Sequence, residues 1–239
     1  MSAALTLSGV SQHFGAREVL RGIDLQLAPG EIVALLGASG CGKSTLLNLV
    51  AGLRPLQQGR ITLQPAGARL GYLFQEDRLL PWLSVLDNAA LGLEPLGLGR
   101  AARRERARQA LALVGLADFA LAWPHMLSGG MRSRAALARS LVTDPALLLM
   151  DEPFSKLDPN TRNQMHAELL AIQARRGTTI LMVTHDVEEA VVLADKVVLL
   201  APRPGRIAHT RTLDLPRPRL PTDPSVTETT RQLRLQVSA

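Results

Sequence analysis

Cysteine occurs once in the 239 residues, at Cys41, so no internal disulfide can form and a reduced cytoplasm is the default setting. Aromatic residues make up only 3%, which leaves few platforms for stacking unpaired bases. No apolar run approaches the roughly 18 residues that a membrane-spanning helix needs. The longest are short pieces such as residues 146–150 and 197–201. The opening stretch MSAALTLSGVSQ has neither the basic start nor the apolar core of a secretory signal, so none is expected. Internal repeats and low-complexity tracts are also missing. Glycine and proline together are 34 of 239 residues, and apolar residues are 46% against 20% charged, which excludes collagen-like and disordered chains. What is left is a globular chain long enough to bury a real core.

The unusual quantity is charge. A net +6, with an isoelectric point near 10.6, raises nucleic acid or an anionic membrane surface as partners. The charge is local: residues 100–108 hold five Arg and one Glu, and residues 203–239 hold seven Arg against Asp214, Asp223 and Glu228. Each cluster is a local +4 and the remainder is −2, so the excess lies outside the motifs described below. Solvated faces are the ordinary reading of such clusters, and contact with lipid headgroups or an acidic partner loop is the functional one. Nucleic acid is not expected as a partner.

Short β-branched or Leu-rich runs alternate with helical stretches, the pattern of an α/β domain around a largely parallel sheet. Residues 5–10, 19–27 and 31–36 read as strands joined by turns at Gly15 and Pro29-Gly30, which suggests antiparallel strands flanking the sheet. Residues 78–143 read as an inserted helical subdomain, with Ala107, Ala110, Leu111 and Val114 at the spacing of a packed face. A buried strand at 147–150, a helix at 159–175, and strands at 178–183 and 197–201 follow. Beyond residue 203, prolines at 204, 216, 218, 221 and 224 predict a surface-hugging extension or a flexible tail.

Three motifs carry chemistry. Gly37, Ala38, Ser39, Gly40, Cys41, Gly42, Lys43 and Ser44, followed by Thr45, come directly after the apolar strand 32–36 and open a helix. Glycines let successive N–H groups curl around phosphates, and the helix start adds the positive end of its dipole. Lys43 then reaches the outer phosphates and the Ser44 hydroxyl serves Mg²⁺. Asp151 and Glu152 end the buried strand 147–150, and alternation along a strand sends one acid to the metal and the other to water. Asp151 is assigned to Mg²⁺ and Glu152 to the attacking water. In the third motif, Leu127-Ser-Gly-Gly-Met131, Ser128 can cap a helix while Gly129 and Gly130 permit close backbone approach, a second phosphate-ready helix start.

Phosphate loop, LSGGM and LLLMDEP in this order resemble the ATP-binding cassette (ABC) ATPases over residues 5–207. The resemblance implies a P-loop core with a mostly parallel sheet, an N-terminal antiparallel β subdomain and the inserted helical subdomain, all in one domain spanning 1–239. It also implies ATP and Mg²⁺. Phe14 resembles the aromatic that stacks on adenine, Gln75 the glutamine that touches Mg²⁺ and the attacking water, and His185 the histidine that senses the γ-phosphate. Residues 155–158 correspond to a loop that crosses the interface of a head-to-tail dimer. There Ser128, Gly129 and Gly130 of one copy close over the ATP held by Lys43 of the other. Two positions depart from the pattern. Ser133 replaces a usual Gln, and Lys156 replaces a small residue, where it is expected to pair with an acid or phosphate across the interface.

Residues 76–82, Asp87-Asn88 and the late segment 203–207 look like the import ATPases for nitrate, sulfonates and taurine. Such a subunit powers a separate transmembrane permease, fed by an extracytoplasmic binding protein, from the cytoplasmic face of the membrane. Trp82 and Leu80 would anchor the permease contact. A soluble cassette acting on nucleic acid, ribosomes or iron–sulfur assembly fits less well, because no coiled coil separates the motifs and the chain carries one cassette. A phosphate-loop kinase leaves LSGGM unexplained.

Overall fold

The computed structural model describes residues 3–237. In chain order the elements are β1 (Leu5–Phe14), β2 (Arg17–Leu27), β3 (Ile32–Gly37), α1 (Lys43–Val50), β4 (Gln58–Leu63), β5 (Leu70–Leu73), α2 (Val85–Ala90) and α3 (Arg100–Leu113). They continue with α4 (Gly129–Leu141), β6 (Leu147–Asp151), α5 (Pro159–Arg176), β7 (Thr179–Val183), α6 (Val187–Leu193), β8 (Lys196–Ala201), β9 (Arg206–Thr212) and α7 (Pro224–Val237). Among the described residues no helix is long and apolar enough to cross a membrane.

The main sheet runs in the order β5-β6-β7-β3-β8-β9, parallel except for β9, which pairs antiparallel with β8. A second, antiparallel sheet has the order β2-β1-β4. One expectation is corrected here. The third N-terminal strand, β3, does not join the antiparallel set but lies in the main sheet between β7 and β8, and β4 takes the third antiparallel place. The burial pattern gives the reason: β3 is buried at five successive positions, as a strand covered on both faces must be, whereas β2 alternates in its second half.

The main sheet divides two cores. On one side α1 packs with Leu5, Leu7, Ile23 and Leu25 of the antiparallel sheet, and on the other α4, α5 and α6 cover Ile32, Leu148 and Ile180. Helices α2, α3 and α4 form the inserted helical subdomain between β5 and β6, and Ala107, Ala110, Leu111 and Val114 are its buried stripe.

The proline-rich C-terminal stretch is ordered. β9 extends the main sheet, and α7 buries Val226 and Leu233 in the core beside α6. Arg219 is only 5% exposed. Its guanidinium donates to the carbonyls of Val191 and Ala194 at the end of α6 (2.8 and 2.6 Å) and to those of Leu213 and Leu215 (3.3 and 2.8 Å). These donors satisfy helix-end carbonyls that have no partner within α6. So at least one charge of the basic C-terminal cluster is internal.

Candidate active site

The phosphate loop joins β3 to α1, and close packing explains one of its glycines and a distant one beneath it. Gly42 has φ +100°, and a Cβ there would lie 2.7 Å from Leu20 Cδ2. Beneath it sits Gly205, where a Cβ would fall 2.0 Å from the Cys41 carbonyl. Gly205 also exchanges backbone hydrogen bonds with β2: its N–H donates to Val19 (2.8 Å) and its carbonyl accepts from Arg21 (2.9 Å). The segment 203–207 is therefore a strut under the phosphate loop, a role that a Pro-Gly turn in sequence does not disclose. Lys43 is buried, its ammonium donating to the carbonyls of Gly37 (2.7 Å) and Ala38 (3.1 Å) at the loop's centre.

A cleft of about 380 Å³ is lined by Phe14, Arg17, Ser39, Lys43, Thr45 and Glu152, with Gly40, Gly42 and Ser44 also on its wall. Phe14 is 40% exposed at its rim, with the Arg54 guanidinium 4.9 Å from the ring centroid. Cys41 is buried under the loop.

At the end of β6 the two acids part. The Ser44 hydroxyl donates to Asp151 Oδ1 at 3.0 Å. Glu152 instead adopts φ +45°, a left-handed conformation rare outside glycine, which costs about 1–3 kcal/mol. Its backbone N–H is held by the Val183 carbonyl (2.9 Å). Its carboxylate accepts from Gln75 Nε2 at 3.1 Å and meets His185 Nδ1 at 3.2 Å, both at Oε2. The separation thus comes from a strained turn residue and not from simple strand alternation. Burial pushes the Asp151 carboxyl above the ordinary carboxylate range, with the negative charge of Glu152 adding to this and the Ser44 hydrogen bond opposing it. Tyr72, behind Asp151, is pushed up by burial first and by the Asp151 charge second, and its hydroxyl donates to Asn48 (3.2 Å).

Three elements place the partners of Glu152. His185 precedes Asp186, whose carboxylate caps α6 by accepting from the N–H groups of Glu188 (2.9 Å) and Glu189 (3.4 Å). Capping by the neighbour leaves the imidazole for Glu152. Gln75 follows β5 and starts a loop clamped to α4: Arg132 Nε donates to Asp77 Oδ2 (3.0 Å), and Arg139 donates to the carbonyls of Arg78 (2.7 Å) and Asp77 (2.5 Å). On α4, Ser128 is the N-cap and accepts from the Met131 N–H at 3.2 Å.

Residues 20–155 match the family profile described as ABC transporter, more than half of the chain. The chain belongs to the ABC transporter family. It is 51% identical over 225 residues to the aliphatic sulfonates import ATP-binding protein SsuB 1 of Xanthomonas axonopodis pv. citri, covering 91% of this chain and 89% of that one. It is 48% identical over 208 residues to the taurine import ATP-binding protein TauB of Burkholderia pseudomallei, covering 85% and 80%. Among solved structures it resembles the dimeric ATP-binding cassette MJ0796 in a post-hydrolysis state with ADP and Pi. That match has a TM-score of 0.77 and 27% identity, and it covers 88% of this chain and 99% of that one.

Within this ABC cassette the sequence-marked residues do not all meet. Gly129 lines a second cleft with Gln75, Asp77 and Arg132, and Ser133 and Lys156, the two departures from the family pattern, line that same cleft. A shortened side chain on α4 faces a lengthened one after β6. Asn88 was marked only as part of a subfamily segment. It is fully buried, and its amide binds Leu80, Leu83 and Ser84, knitting the loop before α2. That loop leaves Leu80 half-buried and Trp82 67% exposed.

Proposed function

We propose that this chain is the ATP-hydrolysing subunit of an importer for sulfonates or similar small anions. The observation that carries the reading is the convergence at the end of β6, where Ser44 faces Asp151 while Gln75 and His185 both meet Glu152. Backbone N–H groups of residues 37–42 and the Lys43 ammonium cradle the phosphates, and Phe14 offers its face to the base. Glu152 holds the attacking water and takes its proton, and His185 and Gln75 fix the carboxylate that does so.

Ser44 and Asp151 fit Mg²⁺: a hydroxyl and a carboxylate in contact suit a hard cation that keeps most of its coordination for phosphate and water. Bound there, Mg²⁺ would neutralise charge on the phosphates. The raised pKa of Asp151 supports this fit, since burial of an uncompensated carboxylate is what a cation relieves. Ser128, Gly129 and Gly130 lie outside the Phe14–Lys43 cleft, so they serve a nucleotide bound by a second copy of the chain, in a head-to-tail pair with two ATP molecules at its interface.

The membrane partner is a separate permease. Hydrogen bonds from Val85 and Leu86 N–H to the Ala122 and Ala120 carbonyls join the start of α2 to the segment that carries Leu121 and Trp123, which with Trp82 are exposed apolar side chains of the helical subdomain. Such an exposed apolar cluster suits docking against another protein, which supports a position at the cytoplasmic face of the membrane beside the permease. An extracytoplasmic binding protein would deliver the solute. The test is reconstitution in vesicles with a sulfonate permease and its binding protein. Taurine or an alkanesulfonate should stimulate ATPase activity, and a Trp82→Ala chain should lose the stimulation but keep basal hydrolysis. Stimulation by nitrate or a pyrimidine precursor instead would overturn the solute class, and failure to associate with any permease would overturn the importer.

A further inference from the structure

A polar cleft of about 550 Å³ opens between the start of β5, α3, the α4–β6 turn and the end of α5. Four arginines line it, Arg69, Arg106, Arg175 and Arg176, against one acid, Asp144. Asp144 is already engaged by Arg176, whose Nη1 lies 3.1 Å from Oδ1 and which also donates to the Leu141 carbonyl (3.2 Å). Among the described residues, the guanidinium groups of Arg69, Arg106 and Arg175 have no ion-pair or hydrogen-bond partner.

Their neighbours on α3 are different: Arg103 pairs with Glu94 (3.0 Å), Arg104 with Asp87 (3.0 Å) and Arg108 with Glu105 (3.3 Å). Three of the five arginines on α3 are thus paired, while Arg106, facing this cleft, and Arg100 are not. Three unpaired guanidiniums contributed by three separate elements repel one another, and an oxyanion relieves that repulsion while accepting their forked donors. Gln109, whose amide donates to Glu105 (3.3 Å), lies on the same wall. Asp144 precedes β6 and Asp151 ends it, so at about 3.3 Å per residue the cleft lies roughly 20 Å from the Ser44–Asp151 pair.

We infer that Arg69, Arg106 and Arg175 form a second anion site, for an oxyanion of the phosphate or sulfate class. The anion is either the free ion or the phosphate of a lipid headgroup. The test uses the full chain carrying Lys43→Ala, so that the phosphate loop does not report. Calorimetric titration with sodium sulfate and phosphate at constant ionic strength should show binding. Adding Arg69→Gln, Arg106→Gln and Arg175→Gln should weaken it by about tenfold to a hundredfold, the loss expected for one or two charge-assisted hydrogen bonds. Arg106→Gln alone, at an exposed helical position, should weaken it by about tenfold even if the triple variant folds poorly. Flotation with phosphatidylglycerol against phosphatidylcholine vesicles separates the sources. Loss of vesicle binding in the variants without any sulfate response points to the headgroup, and a sulfate response with unchanged vesicle binding points to the free ion. Equal behaviour of parent and variants in both assays refutes the site.

Discussion

Replacing Glu152 by Gln isolates the proton-transfer role from the binding role, because the amide keeps the shape of the carboxylate and can still accept from Gln75 Nε2. Two contacts at Oε2, at 3.1 and 3.2 Å, change from charged to neutral, a loss of about 1 kcal/mol each. The strained backbone, held by the Val183 carbonyl, is untouched. Stability should therefore fall by no more than about 2 kcal/mol, and ATP affinity should change little. Loss of a general base should lower hydrolysis by about 10²–10⁴-fold, which is roughly 2.7–5.4 kcal/mol of barrier. A local consequence follows as well. The Glu152 charge helps to hold the Asp151 carboxyl up, so the variant should bring that carboxyl back toward its ordinary range. Single-turnover phosphate release and equilibrium ATP binding measure the two halves, and an ATP-stabilised dimer should accumulate in size-exclusion runs. Turnover within about threefold of the parent refutes the base assignment, and a parallel loss of ATP affinity would place Glu152 in binding instead.

Lys43→Ala should weaken ATP binding itself, since the ammonium sits at the centre of the loop, and normal affinity in a direct titration would refute its phosphate role. Asp151→Asn should raise the thermal midpoint of the nucleotide-free chain at neutral pH. With the folded pKa raised by burial, the folded state holds the extra proton between the ordinary and the raised value, so stability falls as pH rises through that window and stays reduced above it. The difference between parent and Asn chain should close in acid, and an Asn chain less stable at pH 7 would contradict the sign. Arg219→Met strips donors from four buried carbonyls and should cost about 2–4 kcal/mol, or some 5–15 °C of melting temperature, with ATPase activity in the cold unchanged; a shift under about 2 °C would show that the arginine is dispensable. Lys156→Ala should slow hydrolysis and ATP-driven pairing together, and unchanged values in both would remove Lys156 from the interface.

Much of this site was legible because its chemistry is local in sequence. A phosphate loop needs contiguous glycines, and an acid pair ends one buried strand, so residues 37–44 and 151–152 announce themselves. The contacts missed were long-range or used ordinary residues. Gly205 matters because it packs on Cys41, 164 positions away, and nothing in a Pro-Gly turn signals that. Arg219 read as one more surface charge because burial of an arginine depends on carbonyls supplied by α6. The placement of β3 was readable in principle, since an uninterrupted apolar run marks a strand covered on both faces, but turn spacing alone suggested a meander. The arginines of the cleft between α3 and α5 come from positions 69, 106, 175 and 176, and no local pattern joins them.

The same long-range contacts determine how hydrolysis can be felt at the permease. Gln75 touches Glu152 at one end of its loop, and two residues later Asp77 is bound by both Arg132 and Arg139 of α4. Burial holds the Arg139 guanidinium below its ordinary pKa, with the Asp77 charge opposing, so at Arg139 the loss of a partner is costly. Helix α4 is capped by Ser128, proposed above to serve a second copy, and it packs on α2, which follows directly after the exposed Trp82 loop. On the other flank, Arg162 pairs with Asp186 (3.1 Å) and His166 with Glu189 (3.3 Å), tying α5 to the helix that carries His185 at its start. On the proposed function, a shift of Glu152 when the γ-phosphate leaves would act on rigid elements in two directions, through Gln75 toward α4 and through His185 toward α6 and α5. A two-state switch of this kind needs no distant wire, only packed elements that cannot deform by halves.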